Sequence, residues 1–138
     1  MIIDTSALIS LLREEPESAR FVPVMLRWRR SLKMSTANYL EAGIVTDAND
    51  SKALSERLEA VLEYWRVDLI PVSAHHARLA REAYRVYGKG HHPARLNFGD
   101  CFAYALAMAL DEPLLFKGND FLETDVKIAS HPPDFGPS

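Results

Sequence analysis

Between Gly99 and Leu110 the chain offers almost no polar position. Phe102, Ala103, Ala105, Leu106, Ala107, Met108 and Ala109 cover every side of a helix drawn through them. A helix that is apolar all round has to be surrounded. The stretch is too short for a membrane, and no other apolar run approaches the roughly 20 residues a span requires. It must therefore be the packed centre of a layered domain. A chain of 138 residues, 48% apolar and 25% charged, is long enough for one such domain and too apolar for disorder. Its one cysteine, Cys101, excludes an intramolecular disulfide and a multi-cysteine zinc site. The first residues, MIIDTSALISLLREE, are apolar but contain Asp4 and no Lys or Arg before Arg13. They lack the basic start of a secretion signal, so a reducing cytoplasm is the expected location.

The rest alternates short strands with helical stripes. Met1 to Asp4 reads as a strand and Ser6 to Arg13 as a helix carrying Leu8, Leu11 and Leu12. Glu17 to Arg30 is a second helix started near Pro16, and Leu32 to Met34 a brief strand. Ser35 or Thr36 caps a helix running to about Asp47. Asp50 or Ser51 caps the next, whose apolar stripe is Leu54, Leu58, Val61, Leu62 and Trp65. Asp68 to Val72 is a strand that Pro71 confines to an edge or an end. Ser73 opens a helix closed by Gly88 at its C-terminal cap. Beyond the apolar helix, stopped by Pro113, come a strand at Leu114 to Phe116, a KGND turn and a last strand at Val126 to Ala129. Strands alternating with helices predict a three-layer α/β/α domain with a central, mainly parallel sheet. That domain covers residues 1–130, and the Pro-rich HPPDFGPS, 131–138, is a surface tail.

In such sheets ligands collect beyond the C-terminal strand ends. Asp4 closes the first strand, Asp100 lies in the first turn of the apolar helix, and Asp120 follows the strand at Leu114 to Phe116. Glu41 lies inside the helix after the second strand. Singly, each has an ordinary explanation: Asp4 as a cap, Asp100 as a charge favoured at a helix N-terminus, Glu41 facing solvent, Asp120 in a turn. Together they would repel one another in a low dielectric, and a cation would neutralise them. Oxygen-only ligands select hard ions, Mg²⁺ or Mn²⁺, which engage phosphates. Phosphate-ester chemistry with a metal-activated water follows.

Four segments, MIIDTSALI, STANYLEAGIV, YGKGHHPARLNFGDCFAYALA and PLLFKGNDFLETDV, occur here in an order and spacing that resemble the PIN-domain nucleases, and among them the VapC toxins of bacterial toxin–antitoxin pairs. The resemblance runs to about Ala129. It implies a metal-dependent endoribonuclease that leaves 5′-phosphate and 3′-hydroxyl ends, with Asp4, Glu41 and Asp100 as its core acids. Thr5 or Ser6 would orient Asp4 or the metal-bound water. Where many PIN domains carry T-x-D after the corresponding strand, this chain has Phe116-Lys117-Gly118. The fourth acidic role is assigned to Asp120, with Asn119 as a supporting oxygen ligand. The resemblance also implies a VapB-like antitoxin and a homodimer. Of Leu8, Leu11, Leu12, Phe21, Val24, Met25 and Leu26 much must be core, and some would form a groove that the antitoxin occupies while inserting a basic residue into the acidic site.

The net charge of -3 argues against a simple electrostatic nucleic-acid binder. Ser73 to Asn97 nevertheless holds five Lys or Arg against one acid. Arg78, Arg81, Arg85 and Lys89 recur at spacings of three and four and so share a helix face. With His92 and Arg95 they are candidate contacts to an RNA backbone, the alternative being a solvated face. Arg27, Arg29 and Arg30 surround Trp28, which either packs or stacks on a base. The His75–His76 and His91–His92 pairs make poor bidentate metal sites and suit capping or surface roles, although His91 too lies close enough to the acidic site to contact RNA. Cys101 suits the core better than nucleophilic catalysis. Two other functions stay open. An aspartyl phosphatase wants a second Asp where Ser6 stands. A phospho-acceptor receiver or binding domain of the same architecture could offer Lys117.

Overall fold

The computed structural model describes residues 1–48 and 52–129. Four short parallel strands form its sheet: β1 (Ile2–Ile3), β2 (Lys33–Ser35), β3 (Asp68–Ile70) and β4 (Leu114–Leu115), in the order β3-β2-β1-β4. Six helices connect them: α1 (Thr5–Leu12), α2 (Ser18–Arg27), α3 (Thr36–Ala48), α4 (Lys52–Tyr64), α5 (Ala74–Tyr87) and α6 (Phe98–Leu110).

Strand residues alternate between two buried faces, as a sheet covered on both sides requires. Met1, Ile3 and Leu115 join the core made with α1 to α4, including Leu8, Leu12, Phe21, Met25, Leu58 and Leu62. Ile2 and Leu114 join the core made with α5 and α6, where Ala80, Ala83, Ala103, Ala105 and Ala107 let the helices approach. The architecture is the expected α/β/α; α6 is buried along its middle, from Ala103 to Ala107, while Phe98, Met108 and Leu110 towards its ends are exposed. Pro71 directly follows the edge strand β3, where a missing N–H breaks no ladder. After β1, β2 and β3 step outward to one side, β4 returns to the other side of β1. The crevice at such a reversal is where open α/β sheets place ligands.

The C-cap at Gly88 holds, and one expected strand is corrected. Gly88 does follow α5, but at φ −67, outside the left-handed region. What requires glycine there is close approach, since a Cβ would lie 2.2 Å from the Tyr84 carbonyl oxygen. The left-handed cap is instead Asp111, at the end of α6 with φ 53. The strand expected at Val126 to Ala129 is a single bridge, Leu114 to Ile128. The expected caps Asp50 and Ser51 and the tail at 131–138 lie outside the described residues. No helix among the described residues is long and apolar enough to cross a membrane.

Candidate active site

Asp4 is the residue on which β1 turns into α1. It is 3% exposed and caps α1: its Oδ2 accepts from the Ser6 N–H at 3.0 Å and from the Ser6 hydroxyl at 2.6 Å. That hydroxyl also accepts from the Lys117 N–H at 2.9 Å, just past β4. Having one proton, it must donate to Asp4. Ser6 therefore holds the Asp4 side chain through its hydroxyl as well as its backbone N–H. Thr5 donates its hydroxyl proton to the Asn38 carbonyl at 3.2 Å and so ties α1 to α3. Asp4 Oδ1 is buried with no hydrogen-bond partner among the described residues. Burial, set against the two Ser6 bonds and aided by the charge of Glu41, raises the Asp4 carboxyl to about 6.

Asp100 stands in the first turn of α6 and caps it. Its Oδ2 accepts from the Asn97 N–H at 3.0 Å, while Asn97 Oδ1 accepts from the Asp100 N–H at 2.9 Å, a reciprocal capping box. Yet its carboxyl is raised to about 7. Burial is the main cause, opposed by the Asn97 N–H and reinforced by the charges of Asp4, Asp120 and Glu41. A cap alone would draw the value down.

Glu41, half-buried on α3, presses against the start of α6. A Cβ placed on Gly99 would lie 2.0 Å from Glu41 Oε2. Beside it is Asn38, fully buried, whose amide donates to the Gly99 carbonyl at 2.9 Å and lies 3.5 Å from Glu41 Oε1. Its Oδ1 is also buried without a partner among the described residues. Neither Asn38 nor Gly99 is singled out by the sequence analysis. The available signal was a polar residue one turn before Glu41 on the same helix face. Asp120 and Asn119 are exposed. Asp120 opens a 3₁₀ turn (Asp120–Glu123) after Gly118, whose φ of 93 suits glycine, and Asn119 makes no capping bond with its side chain.

Away from these acids, Arg78, Arg81, Arg85 and Lys89 are exposed along α5 and just beyond it. Arg85 is tied to Glu82, its Nε donating at 3.1 Å. His91 Nε2 lies 2.8 Å from the Tyr84 carbonyl and closes α5. His92 Nδ1 accepts from the Ala94 N–H at 3.0 Å and its ring meets Tyr87 edge-on. Arg95 is exposed at φ 54. Trp28 packs against the core at the end of α2. Cys101 is buried, which pushes its thiol up to about 11, with Asp100 adding to the shift. Lys117 pairs with Glu15 at 2.6 Å, not with the acidic site as a receiver would need.

Residues 1–127 match the PIN-domain family. The chain is 46% identical over 132 residues to Ribonuclease VapC30 of Mycobacterium tuberculosis, covering 96% of this chain and all of that one. This chain is a PIN-domain protein of the VapC ribonuclease family. A VapC ribonuclease of Mycolicibacterium smegmatis is likewise 46% identical, over 126 residues, covering 91% of this chain and 97% of the relative. Among solved structures, Mycobacterium tuberculosis VapC20, described as a sarcin–ricin loop cleaving toxin, superposes with a TM-score of 0.75 at 14% identity, covering 95% and 98% of the two chains. VapBC-5 of the same organism, a toxin–antitoxin system, gives 0.63 at 17%, covering 93% and 92%. Family membership makes this a VapC-type ribonuclease toxin in general terms.

Among the described residues, no three His, Cys, Asp or Glu side chains come close enough to form a ready-made metal cage. Mg²⁺ does not require one, because it keeps several waters and takes only one or two carboxylates directly. The unpartnered Asp4 Oδ1 and the two raised carboxyls form an all-oxygen donor set that suits such an ion.

The same shifts have a measurable sign. An unfolded Asp titrates near 3.9, so between about pH 4 and 7 the folded VapC chain holds more protons than the unfolded one. The stability these groups contribute is complete below pH 4. It is lost as pH rises through the folded values of about 6 and 7. In EDTA the melting temperature should fall from about pH 5 to about pH 8, and Mg²⁺ should recover more of it at the higher pH. A melting temperature flat across that range in EDTA would remove the burial argument.

Proposed function

We propose that this chain hydrolyses RNA phosphodiester bonds as a Mg²⁺-dependent endoribonuclease, with Mn²⁺ as substitute. The observation that carries the reading is Asp4: a buried carboxylate at the sheet crevice, one oxygen fixed by Ser6 and the other without a partner among the described residues. Asp4, Asp100 and Glu41 would hold the ion, directly or through water, and Asp120 would approach from the β4 side. When bound, such an ion supplies positive charge to the site and acidifies water there. The chain's own residues do the positioning. Ser6 orients Asp4, Asn97 holds one oxygen of Asp100, and Asn38 holds the start of α6 against Glu41. The expected products carry 5′-phosphate and 3′-hydroxyl ends. A phosphatase has less support, because Ser6 fills the place of its second Asp and spends its proton on Asp4.

A VapB-like antitoxin is the proposed inhibitor, and the chain is proposed to pair as a homodimer. A groove of about 470 Å³ lies between α2 and the segment after β4, lined by Phe21, Val24, Phe116 and Leu122 among others. It suits an amphipathic partner segment. A solved structure of similar fold from Klebsiella pneumoniae is described as a toxin–antitoxin complex.

The deciding assay is cleavage of RNA by purified protein. Activity should vanish in EDTA and return with Mg²⁺ or Mn²⁺. Asp120→Asn should need more Mg²⁺, with a loss of about 10–100-fold in apparent affinity. Full cleavage in EDTA by protein shown to be metal-free would overturn the reading.

The basic face is proposed as the RNA track, and its members should differ. Removing a side chain that neutralises one phosphate should flatten the log–log salt dependence of single-strand binding by about 0.7. Arg81→Ala should show that change, whereas Arg85→Ala should show less because Glu82 already engages Arg85. Equal, unchanged slopes would return the stripe to a solvated face.

A further inference from the structure

We propose that the groove between α5 and α6 receives one unpaired nucleobase of the RNA, beside the phosphate that is cut. The inference rests on the ribonuclease reading and adds where the substrate is gripped. The groove has a volume of about 570 Å³ and is floored by Ala77, Ala80 and Cys101, with Tyr84, Phe98 and Phe102 among its aromatic walls. No acidic residue among those described lines it, although Asp100 lies between Gly99 and Cys101 on the same helix. Arg81 and Lys89 also line it.

Phe98 is the observation that asks for a ligand. It is 79% exposed, more than any other large apolar residue described. It occupies the first position of α6, two residues before Asp100, and meets Phe102 edge-on at 4.9 Å and 86°. That packing sets the ring's direction while leaving most of it in water. An exposed aromatic ring over a hollow floored by small side chains and lined by two cations is the combination that holds a base and its phosphate together. A purely apolar peptide would not use the cations. Arg81 makes no hydrogen bond with the described residues, and so is available to a phosphate. Asn97 joins groove and site, since it lines the one and caps the helix that carries Asp100. Its side-chain oxygen is committed to that cap and the Tyr84 hydroxyl faces the Lys89 carbonyl, which leaves the Asn97 amide NH2 as the main uncharged donor beside apolar and cationic walls. The groove therefore selects for an unstacked base more than for its identity.

The test uses a short single-stranded oligoribonucleotide that the parent protein cuts, isolated from a random-sequence pool. Versions with one abasic ribose are walked along the strand, and kcat and KM are measured in Mg²⁺. One position flanking the cut should be sensitive. Stacking worth about 1–3 kcal/mol per base corresponds to roughly 5- to 150-fold in kcat/KM. Phe98→Ala should lose a similar factor on the intact strand, mostly through KM, and should lose no more on the sensitive abasic strand. Phe98→Trp should retain activity. Because Phe98 is exposed, these variants should keep the parent's melting temperature. Parent-like cleavage by Phe98→Ala, or losses that multiply, would overturn the groove while leaving the nuclease intact. A parent that cuts no member of the pool would overturn the nuclease reading and the groove with it. Sedimentation of Phe98→Ala closes the remaining route: conversion of a dimer to a monomer would assign the ring to a second copy of the chain and overturn the proposal.

Discussion

Asp100→Asn is expected to end RNA cleavage, by at least roughly 100-fold, the scale of losing one organised charge or donor where charge develops. It should do so without harming the fold. The Asn oxygen can still accept from the Asn97 N–H, so the capping box can survive. What disappears is a charge that burial, Asp4, Asp120 and Glu41 all oppose. In EDTA near pH 8 the variant should melt higher than the parent, and Mg²⁺ should raise its melting temperature less. Asp4→Asn should behave alike. Raising Asp4 from 3.8 to about 6 corresponds to a penalty on the charged form on the order of 3 kcal/mol. An inactive variant that melts lower would mean only that the fold was damaged. An active Asp100→Asn protein would remove Asp100 from the site.

Gly99→Ala is expected to be nearly as damaging to activity for a reason unrelated to charge. The new methyl would lie 2.0 Å from Glu41 Oε2 and 2.6 Å from its Cδ. Those atoms are the end of a flexible side chain and can swing aside, so stability should change by only about 1 kcal/mol; overpacking a rigid neighbour would cost up to about 3 kcal/mol. The helix itself favours alanine over glycine by about 1 kcal/mol. Glu41, however, would leave its place. Cleavage should drop to the level of Glu41→Gln while the melting temperature stays near that of the parent. Adding Glu41→Asp, which shortens the side chain, should recover part of the activity. Parent-like cleavage by Gly99→Ala would show that Glu41 is not needed where it stands.

Periodicity made most of the fold readable. The apolar stripe of α4, the all-apolar α6 and the Ser73 cap are local patterns, and Pro71 at a strand end allows few places in a sheet. Asp4, Asp100 and Asp120 could be anticipated because they follow strands or open a helix, at points where chain direction is set. The parts that were not legible arise where distant segments meet. Gly99 is needed because a side chain on α3 arrives there, and Asn38 matters because its amide reaches α6. For Gly99 nothing nearby in sequence announces that approach, and for Asn38 the only local sign is its place one turn before Glu41. The second bond of the Ser6 hydroxyl reaches Lys117, 111 positions away. The tie between Arg85 and Glu82 is different. Its spacing of three was visible on the helix, and it is the charge face as a whole that hid it.

The Ser6 hydroxyl has one further consequence. It links the first turn of α1 to the segment immediately after β4, the last strand in chain order among the described residues. Until Lys117 is in place, Asp4 lacks the neighbour that aims Ser6 at it, and β1 lacks β4 beside it. On the function proposed here, a chain in which that segment has not yet docked beside β1 holds an incomplete acidic site.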